Sequence, residues 1–165
     1  MLLGIDLGGT KIEGIVLKSR ENPKEVIRHR VNTEEEKGYS QVISNIKSLV
    51  DYIESNINHK FSKLGIGTPG TIDPESGLLK NSNSQCLNGM PIQIDLSKVL
   101  NKSILIQNDA NCFALAETLL GSVKDQYPNA KNVFGIIIGT GVGGGVIIDG
   151  KTVYGSQGIG GEWGH

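Results

Sequence analysis

The sequence has few cysteines and no long apolar run, and these absences exclude several classes of protein. Its two cysteines, Cys86 and Cys112, form neither a disulfide framework nor a Cys-x-x-Cys pair, which is typical of a reducing cytoplasm. No apolar run approaches the roughly 20 residues of a membrane-spanning helix. The first residues also lack the charged segment and long apolar stretch of a secretion signal. We therefore expect a soluble, cytoplasmic protein without a membrane partner.

The chain also has almost no net charge. Its 16 lysine and arginine residues face 17 aspartate and glutamate residues, which gives a net charge of -1 and no basic stripe that would bind nucleic acid. The acidic run at residues 34–36 indicates a solvated loop ahead of a helix. The length of 165 residues predicts a single compact unit.

Glycine is abundant, and its clusters separate segments with clear periodicity. The 23 glycines are about twice the usual share of roughly 7%, so their clustering needs an explanation. Apolar, β-branched segments on either side of a Gly8-Gly9 turn predict a hairpin of strands at 2–7 and 11–17, and apolar residues at helical spacing predict a helix over 39–58. Further elements are predicted as strands at 25–31, 64–67, 104–106, 133–138 and 144–148 and a helix at 110–120. A hairpin followed by alternating strands and helices indicates an α/β domain with a mixed sheet.

The first glycine cluster follows a buried strand that carries an aspartate. Without a Cβ atom, Gly8 and Gly9 let backbone N–H groups point into a concavity that suits an anion, and Thr10 adds a hydroxyl donor. Asp6, just before the turn, is placed to hold a hydrated Mg²⁺ beside phosphates. The alternative is a hairpin tip in which the glycines only provide positive φ angles. This motif alone does not separate the two interpretations.

A second cluster, residues 139–145, also lies between two apolar strands. A dinucleotide-binding loop needs a helix after its glycines, and here an apolar strand follows. A Walker loop needs Gly-Lys-Ser/Thr, which this cluster lacks. Two strand-turn-strand glycine loops in one domain are better explained as paired phosphate clamps than as two unrelated tight turns.

Asn108 and Asp109 stand at the predicted junction between a strand and a helix. Both residue types are frequent N-caps, so a purely structural role is one interpretation. The other follows from their position, because ligands of α/β sheets bind at the carboxyl ends of strands and a carboxylate there can accept a hydroxyl proton. An ordinary aspartate suffices for this task in phosphoryl transfer, since the transition state is loose.

The last block combines an acid, a tryptophan and a histidine with several glycines. Glu162 can accept hydrogen bonds from sugar hydroxyls, and His165 can donate one or bind zinc through a neutral nitrogen. Equally, His165 could have no role, and Trp163 could belong to the core. Spacing alone does not predict a zinc site here.

Taken together, these blocks resemble the ROK family of bacterial sugar kinases and repressors over nearly the full chain. The matching blocks, in the family's order, are Gly4 to Lys11, Gly67-Thr68-Pro69-Gly70, Leu87-Asn88-Gly89, Asn108-Asp109-Ala110-Asn111, Gly139 to Gly145 and Gly161 to His165. The resemblance implies an α/β domain of the ribonuclease-H-like, actin-type ATPase fold, with a mixed sheet and helices. It also implies a kinase that uses ATP and Mg²⁺ to phosphorylate the 6-hydroxyl of a hexose.

The family's functional positions fall on particular residues of this chain, and Asp109 corresponds to the catalytic base. The implied sugar-binding residues are Gly70, Asn83, Asn108, Asp109, Glu162 and His165. The implied phosphate-binding residues are Gly8, Gly9, Thr10, Lys11, Gly139, Thr140, Gly141, Gly143 and Gly144, with Asp6 holding Mg²⁺ through water. His165 also matches a zinc ligand of the family. The three cysteines that complete that site are absent from this sequence, so Zn²⁺ is expected only in a longer protein.

The resemblance leaves the sugar and the role of the protein open. Fructokinase and mannokinase members are most similar at Lys80 to Ser84, at Leu87-Asn88-Gly89 and in the Trp163 version of the last block, which favours fructose, mannose or glucose. Kinases of N-acetylglucosamine or N-acetylmannosamine are the first alternative. The second is the sugar-sensing domain of a family repressor, although the phosphate strand starts at Leu2 and leaves no room for a preceding helix-turn-helix.

The resemblance also implies a domain arrangement. We expect residues 1–165 to be the N-terminal lobe, which binds phosphate and sugar, with residues from about 120 onward near the cleft between two lobes. The C-terminal lobe is then absent, and this chain alone is expected to be inactive. The full-length protein is expected to be a homodimer.

Overall fold

The computed structural model describes residues 1–138 and 142–164, and these form ten β-strands and four α-helices. The strands are β1 (Leu2–Leu7), β2 (Lys11–Leu17), β3 (Glu25–Asn32), β4 (Lys63–Thr68), β5 (Thr71–Ile72), β6 (Leu79–Lys80), β7 (Ser103–Asn108), β8 (Asn132–Ile138), β9 (Val142–Ile148) and β10 (Lys151–Thr152). The helices are α1 (Tyr39–Ile57), α2 (Ile92–Leu100), α3 (Asp109–Leu119) and α4 (Ser122–Gln126). Two short 3-10 turns cover Glu35–Lys37 and Gln85–Leu87.

A five-stranded mixed sheet organises the first part of the chain. Its strand order is β3-β2-β1-β4-β7. Strand β2 is antiparallel to both β1 and β3, whereas β4 is parallel to β1. Residues of β2 alternate between buried positions and positions open to solvent, as expected when one face of a sheet packs on the core. The predicted mixed sheet is therefore confirmed.

Helix α1 covers one face of this sheet. Its buried residues recur at helical spacing and are Val42, Ile43, Ile46, Leu49, Val50, Ile53 and Glu54. The helix contacts β2 and β3 and also packs beside α2. Gly14 of β2 permits this close approach, because a Cβ atom there would lie 2.5 Å from the Cδ1 atom of Ile53.

Strands β8, β9 and β10 form a separate antiparallel sheet, and α3 packs on one of its faces. Two glycines of the sheet face this helix. A Cβ atom on Gly135 would lie 2.6 Å from the Cβ atom of Ala114, and one on Gly145 would lie 2.8 Å from the carbonyl oxygen of Ala110. The glycines of β8 and β9 therefore let the helix pack directly on the backbone of the strands.

The chain divides into two compact units, Met1–Gln107 and Asn108–His165. The prediction of a single compact unit is therefore wrong. Each unit has a sheet with a helix packed on it, and the main apolar core, between Leu3 and Ile104, stays within the first unit. Chain length limits how large a core can be, but it does not determine how many sheets the chain builds.

The predicted strands and helices are present with their ends shifted by a few residues. Helix α2 was not predicted, nor were α4 and the short strands β5, β6 and β10. Within α2, the buried residues Ile92, Leu96 and Leu100 recur every fourth residue, directly after Pro91. No helix within residues 1–138 and 142–164 is both long enough and apolar enough to cross a membrane.

Candidate active site

The turn between β1 and β2 is closed by hydrogen bonds of Gly8. Its N–H donates to the carbonyl oxygen of Lys11 over 2.9 Å, and its own carbonyl oxygen accepts from the hydroxyl of Thr33 over 2.6 Å. The N–H of Thr33 also donates to the carbonyl oxygen of Thr10 over 3.0 Å. Because the Gly8 amide closes the turn, the candidate amides for a phosphate are those of Gly9 and Thr10.

Position 9, at the tip of this turn, lies close to polar side chains of two other segments. Neither Gly8 nor Gly9 has a positive φ angle, so the interpretation that they only supply left-handed backbone is wrong. A Cβ atom on Gly9 would lie 3.4 Å from the hydroxyl oxygen of Ser84 and 3.6 Å from each carboxylate oxygen of Glu35. Polar groups from two other segments therefore converge on the tip.

The position of Glu35 corrects the prediction that residues 34–36 form a solvated loop. Glu36 is exposed, but the Oε2 atom of Glu35 is buried. Sequence reasoning missed this residue as a member of the site. The signal that could have found it is its place three residues after the end of β3, the strand that pairs with β2 of the hairpin.

Gly70 and the loop that carries Asn83 lie against each other beyond the end of β4. Gly70 has a φ angle of +84°, and a Cβ atom there would lie 2.8 Å from the backbone nitrogen of Ser82. The N–H of Ser82 donates to the Oδ1 atom of Asn88 over 2.9 Å, and the Asn88 side chain returns a hydrogen bond to the Ser82 carbonyl oxygen over 2.8 Å. The loop is thereby fixed, with Asn83 exposed at its surface.

Ser84 connects this loop to the hairpin tip. Its N–H donates to the hydroxyl oxygen of Ser82 over 3.1 Å, while its own hydroxyl oxygen faces Gly9. Both serines are buried. The structure therefore brings Gly9, Gly70 and the loop around Asn83 to one surface of the first unit.

The two charged residues that flank the tip are placed differently. Asp6 is exposed on β1, opposite Glu13 of β2 and beside Gly67 of β4, on the sheet face that is not buried under α1. The ammonium group of Lys11 donates to the side-chain oxygen of Asn32 on the neighbouring strand β3. In this structure Lys11 therefore ties β2 to β3.

In the second unit, Asn108 and Asp109 begin helix α3. Asn108 is 5% exposed and is the N-cap, because its side-chain oxygen accepts from the N–H of Asn111 over 3.1 Å. The structural interpretation of Asn108 is thus confirmed. Asp109 is the first residue of the helix, and its Oδ1 atom accepts from the N–H of Ala110 over 2.7 Å. Asn108 caps the helix, so Asp109 is not needed as the cap, and Asp109 is exposed.

The carboxyl group of Asp109 is a weaker acid than an ordinary aspartate. The protein atoms packed around it raise its pKa, although part of the residue stays open to solvent. Hydrogen bonds from the amides of Ala110 and of Asp109 itself lower the pKa, but by less than burial raises it. A carboxylate with a raised pKa accepts protons more readily, as a general base must.

Glu162 and the beginning of α3 both approach Gly143 on β9. A Cβ atom on Gly143 would lie 3.3 Å from the Cβ atom of Ala110, the residue after Asp109, and 3.9 Å from both carboxylate oxygens of Glu162. The segment that carries Glu162 lies along β9, because a Cβ atom on Gly161 would be 3.0 Å from the backbone nitrogen of Val146. The second unit therefore brings the region of Asp109 and Glu162 together.

Gly144 faces the opposite side of the same strand. A Cβ atom there would lie 2.5 Å from the carbonyl oxygen of Gly161, 2.8 Å from Trp163 and 2.9 Å from Phe134. Packing within the protein therefore requires glycine at position 144, whether or not a ligand binds there. Trp163 is 55% exposed, so the interpretation that it belongs to the core is wrong.

Four predicted site residues lie outside the described residues, namely Gly139, Thr140, Gly141 and His165. The proposed zinc ligand is among them. Within residues 1–138 and 142–164, no group of three or more histidine, cysteine, aspartate or glutamate side chains is arranged to hold a metal ion.

Known proteins similar to this chain include sugar kinases. The chain is 39% identical, over all 165 residues, to an N-acetyl-D-glucosamine kinase of Aliivibrio fischeri and covers 52% of that protein. It therefore spans about half the length of this relative. Its fold is similar to that of a ROK hexokinase from Thermus thermophilus, with a TM-score of 0.81 and 30% identity over 98% of this chain and 51% of that one.

A second solved structure shows the same fold with ligands bound. A ROK family glucokinase from Streptomyces griseus, in complex with glucose and AMPPNP, matches with a TM-score of 0.81 and 26% identity. The match covers 99% of this chain and 49% of that one. The predicted actin-type ATPase fold is thus confirmed. Residues 2–165 match the ROK family, and this chain belongs to it.

Proposed function

We propose that the whole protein transfers the γ-phosphoryl group of ATP to a hydroxyl group of a sugar, with N-acetyl-D-glucosamine as the first candidate. The observation that carries this proposal is Asp109, a carboxylate of raised pKa at the start of α3, in the same unit as Glu162. Family membership supports the reaction class. The relatives' names favour N-acetyl-D-glucosamine over the unmodified hexose that the sequence blocks suggest.

The residues have separate tasks in this mechanism. Asp109 takes the proton of the attacking 6-hydroxyl, and Asn108 and Glu162 orient the sugar. Gly9 and Thr10 would present backbone N–H groups to phosphate oxygens, and Asp6 would hold a hydrated Mg²⁺. The Gly8 amide closes the turn, so the amides of Gly9 and Thr10 are the candidates for phosphate. Bound Mg-ATP supplies the phosphoryl group and the charge neutralisation, so the protein contributes mainly positioning.

An assay of ADP release tests this proposal. The full-length protein is assayed with N-acetylglucosamine, N-acetylmannosamine, glucose, mannose and fructose. We expect the highest kcat/KM with N-acetylglucosamine. If an unmodified hexose is preferred, the substrate is wrong but the reaction class is right. Sugar binding without ADP release from any sugar would favour the sugar-sensing regulator instead. The absence of both sugar binding and turnover would refute the proposal.

The pH dependence of the reaction should reflect the raised pKa of Asp109. The base must be ionised to accept a proton, and burial disfavours the ionised form. Activity should therefore fall on the acidic side at a higher pH than for an ordinary aspartate of pKa about 3.9. The measurement is a profile of kcat/KM for the sugar against pH. An acidic limb at or below the ordinary value would contradict the role of Asp109.

We further propose that residues 1–165 are the N-terminal half of a two-lobed kinase. The support is the length of the relatives and an apolar surface on the second unit. On the face of the β8–β9 sheet opposite α3, Phe134, Ile136 and Ile138 of β8 are 49%, 44% and 78% exposed. An exposed apolar surface of this kind usually marks an interface. We propose that the second half of the protein packs on it. The homodimer, the cytoplasmic location and Zn²⁺ binding stay predictions from the family resemblance.

Ile136→Asp tests this packing. In the full-length protein we expect the variant to lose about 2–5 kcal/mol of unfolding free energy, as for the loss of a buried isoleucine. Val26→Asp is the matched control, because Val26 of β3 is 46% exposed. This substitution should lower the unfolding free energy by no more than about 0.5 kcal/mol. Urea unfolding measures both. Equal, small effects would show that the face stays open to solvent.

A further inference from the structure

Thr33 is a buried polar residue directly after β3 that has no task in the proposed mechanism. It is only 1% exposed, and both of its hydrogen-bond donors point at the turn between β1 and β2. Its hydroxyl donates to the carbonyl oxygen of Gly8 over 2.6 Å, and its N–H donates to that of Thr10 over 3.0 Å. These two acceptors stand on either side of Gly9 in the chain. Thr33 therefore fixes the turn both before and after Gly9.

The bond to the Gly8 carbonyl oxygen also sets the direction of the Gly9 N–H. The two groups belong to one peptide unit, which is trans, and in a trans peptide the C=O and N–H bonds point in opposite directions. The hydroxyl of Thr33 therefore holds the Gly9 N–H pointing away from Thr33. Among the described residues, no group accepts from this N–H, so it is available to water or to a ligand.

A peptide between two glycines needs such a restraint. Because neither Gly8 nor Gly9 has a Cβ atom, the peptide that joins them can rotate more easily than others. Rotation would present the Gly8 carbonyl oxygen where the N–H now points, and phosphate oxygens, which are acceptors with negative charge, would be repelled by it. The rotation is opposed by Thr33, because its buried hydroxyl would lose its acceptor.

We propose that Thr33 is a positioning residue for phosphate binding, which holds the Gly9 N–H in the direction that lets it donate to a phosphate oxygen of ATP. This inference rests on the proposed kinase function and adds to it a residue that touches neither substrate. Every group that carries it lies between Gly8 and Thr33, within the first unit.

Thr33→Val in the full-length protein tests the inference. Valine keeps the branched shape and the backbone N–H but has no hydroxyl. We expect KM for ATP to rise by about 3- to 10-fold, as for the loss of one hydrogen bond, while KM for the sugar stays nearly unchanged. Thr33→Ser keeps a hydroxyl and should keep most of the wild-type KM for ATP.

Ser97→Ala is the matched control. It removes a hydroxyl that donates over 2.7 Å to the carbonyl oxygen of Lys102, also in the first unit, and it should leave KM for ATP unchanged. If Thr33→Val changes KM for ATP no more than this control does, the inference is wrong. A failure of Thr33→Ser to restore KM for ATP would also contradict it, because the hydroxyl would then not be the group that matters.

Calorimetric titration separates positioning from a general loss of structure. The two probes are AMPPNP with Mg²⁺, which carries three phosphate groups, and adenosine, which carries none. Thr33→Val should weaken the binding of AMPPNP by the same factor as KM for ATP and leave the binding of adenosine unchanged. Equal weakening of both probes would overturn the inference in favour of a purely structural role.

The same titration keeps the inference separate from the proposed function. If the wild-type protein binds AMPPNP but transfers phosphate to no sugar, the kinase proposal fails. Weaker binding of AMPPNP by Thr33→Val would still support the role of Thr33 in that case. Equal binding of AMPPNP by the two proteins, or no binding by the wild type, would refute it.

Discussion

Asp109→Asn should lower the rate of phosphoryl transfer by about 10²- to 10⁴-fold, the usual contribution of a general base, while sugar affinity changes little. Asparagine has nearly the same shape, and its side-chain oxygen can still accept from the Ala110 N–H over the present 2.7 Å. It cannot take up the hydroxyl proton. The start of α3 should survive the change, because Asn108 and not Asp109 caps the helix.

Single-turnover kinetics and calorimetric sugar titration on the full-length protein measure these two effects separately. Asp125→Asn on α4 is the control, because Asp125 is exposed and the change removes the same charge from the same unit. If Asp109→Asn retains most of its activity, another group is the base. If the variant no longer binds sugar, Asp109 acts mainly in binding.

The sequence predicts well those parts of the fold that depend on local periodicity. Apolar residues at helical spacing predict α1 within one residue of its observed end, because the buried face of an amphipathic helix is a local property. Apolar, β-branched segments on either side of a Gly-Gly turn predict the hairpin of β1 and β2, and this pattern is also local. The order β3-β2-β1-β4-β7 and the division after Gln107 depend on contacts between distant segments, which periodicity does not contain.

The candidate site shows the same limit. The glycine motif at the hairpin tip is visible in the sequence, but the sequence does not show that the Gly8 amide closes the turn. Nor does it show that Gly144 is needed for packing against Gly161, Trp163 and Phe134. A glycine motif reports that a side chain is excluded, and the structure reports whether a ligand or the protein itself excludes it.

Glu54→Ala should destabilise the first unit by about 3–5 kcal/mol, the cost of breaking a buried ion pair from one side. Glu54 is 2% exposed near the end of α1, and its carboxylate accepts from Lys102 over 2.8 Å, from Lys60 over 2.9 Å and from the N–H of Phe61 over 2.8 Å. The Lys102 side chain is only 10% exposed. Removing the carboxylate would leave the Lys102 ammonium, which also donates to the carbonyl oxygen of Phe61 over 2.8 Å, without its counter-ion, and the N–H of Phe61 without its acceptor.

Urea unfolding of the two proteins measures this loss. Asp51→Ala on the same helix is the control, because Asp51 and Lys47 form a half-exposed pair worth about 0.3–0.5 kcal/mol. A loss for Glu54→Ala as small as for the control would show that water reaches Lys102 freely.

The stabilisation by Glu54 should also depend on pH in a defined direction. Burial raises the pKa of Glu54, but the hydrogen bonds from Lys102, Phe61 and Lys60 together lower it by more than burial raises it. The pKa of Glu54 therefore lies below the ordinary value. A carboxyl group with a lowered pKa in the folded state stabilises the protein above the unfolded-state pKa, about 4.3 for glutamate. That stabilisation is lost as the pH falls through the lowered pKa. The free-energy difference between wild type and Glu54→Ala should therefore be constant near neutral pH and shrink below about pH 4. A difference that grows on acidification would mean that the carboxyl is protonated in the folded protein and that the contacts with the two lysines do not act as ion pairs.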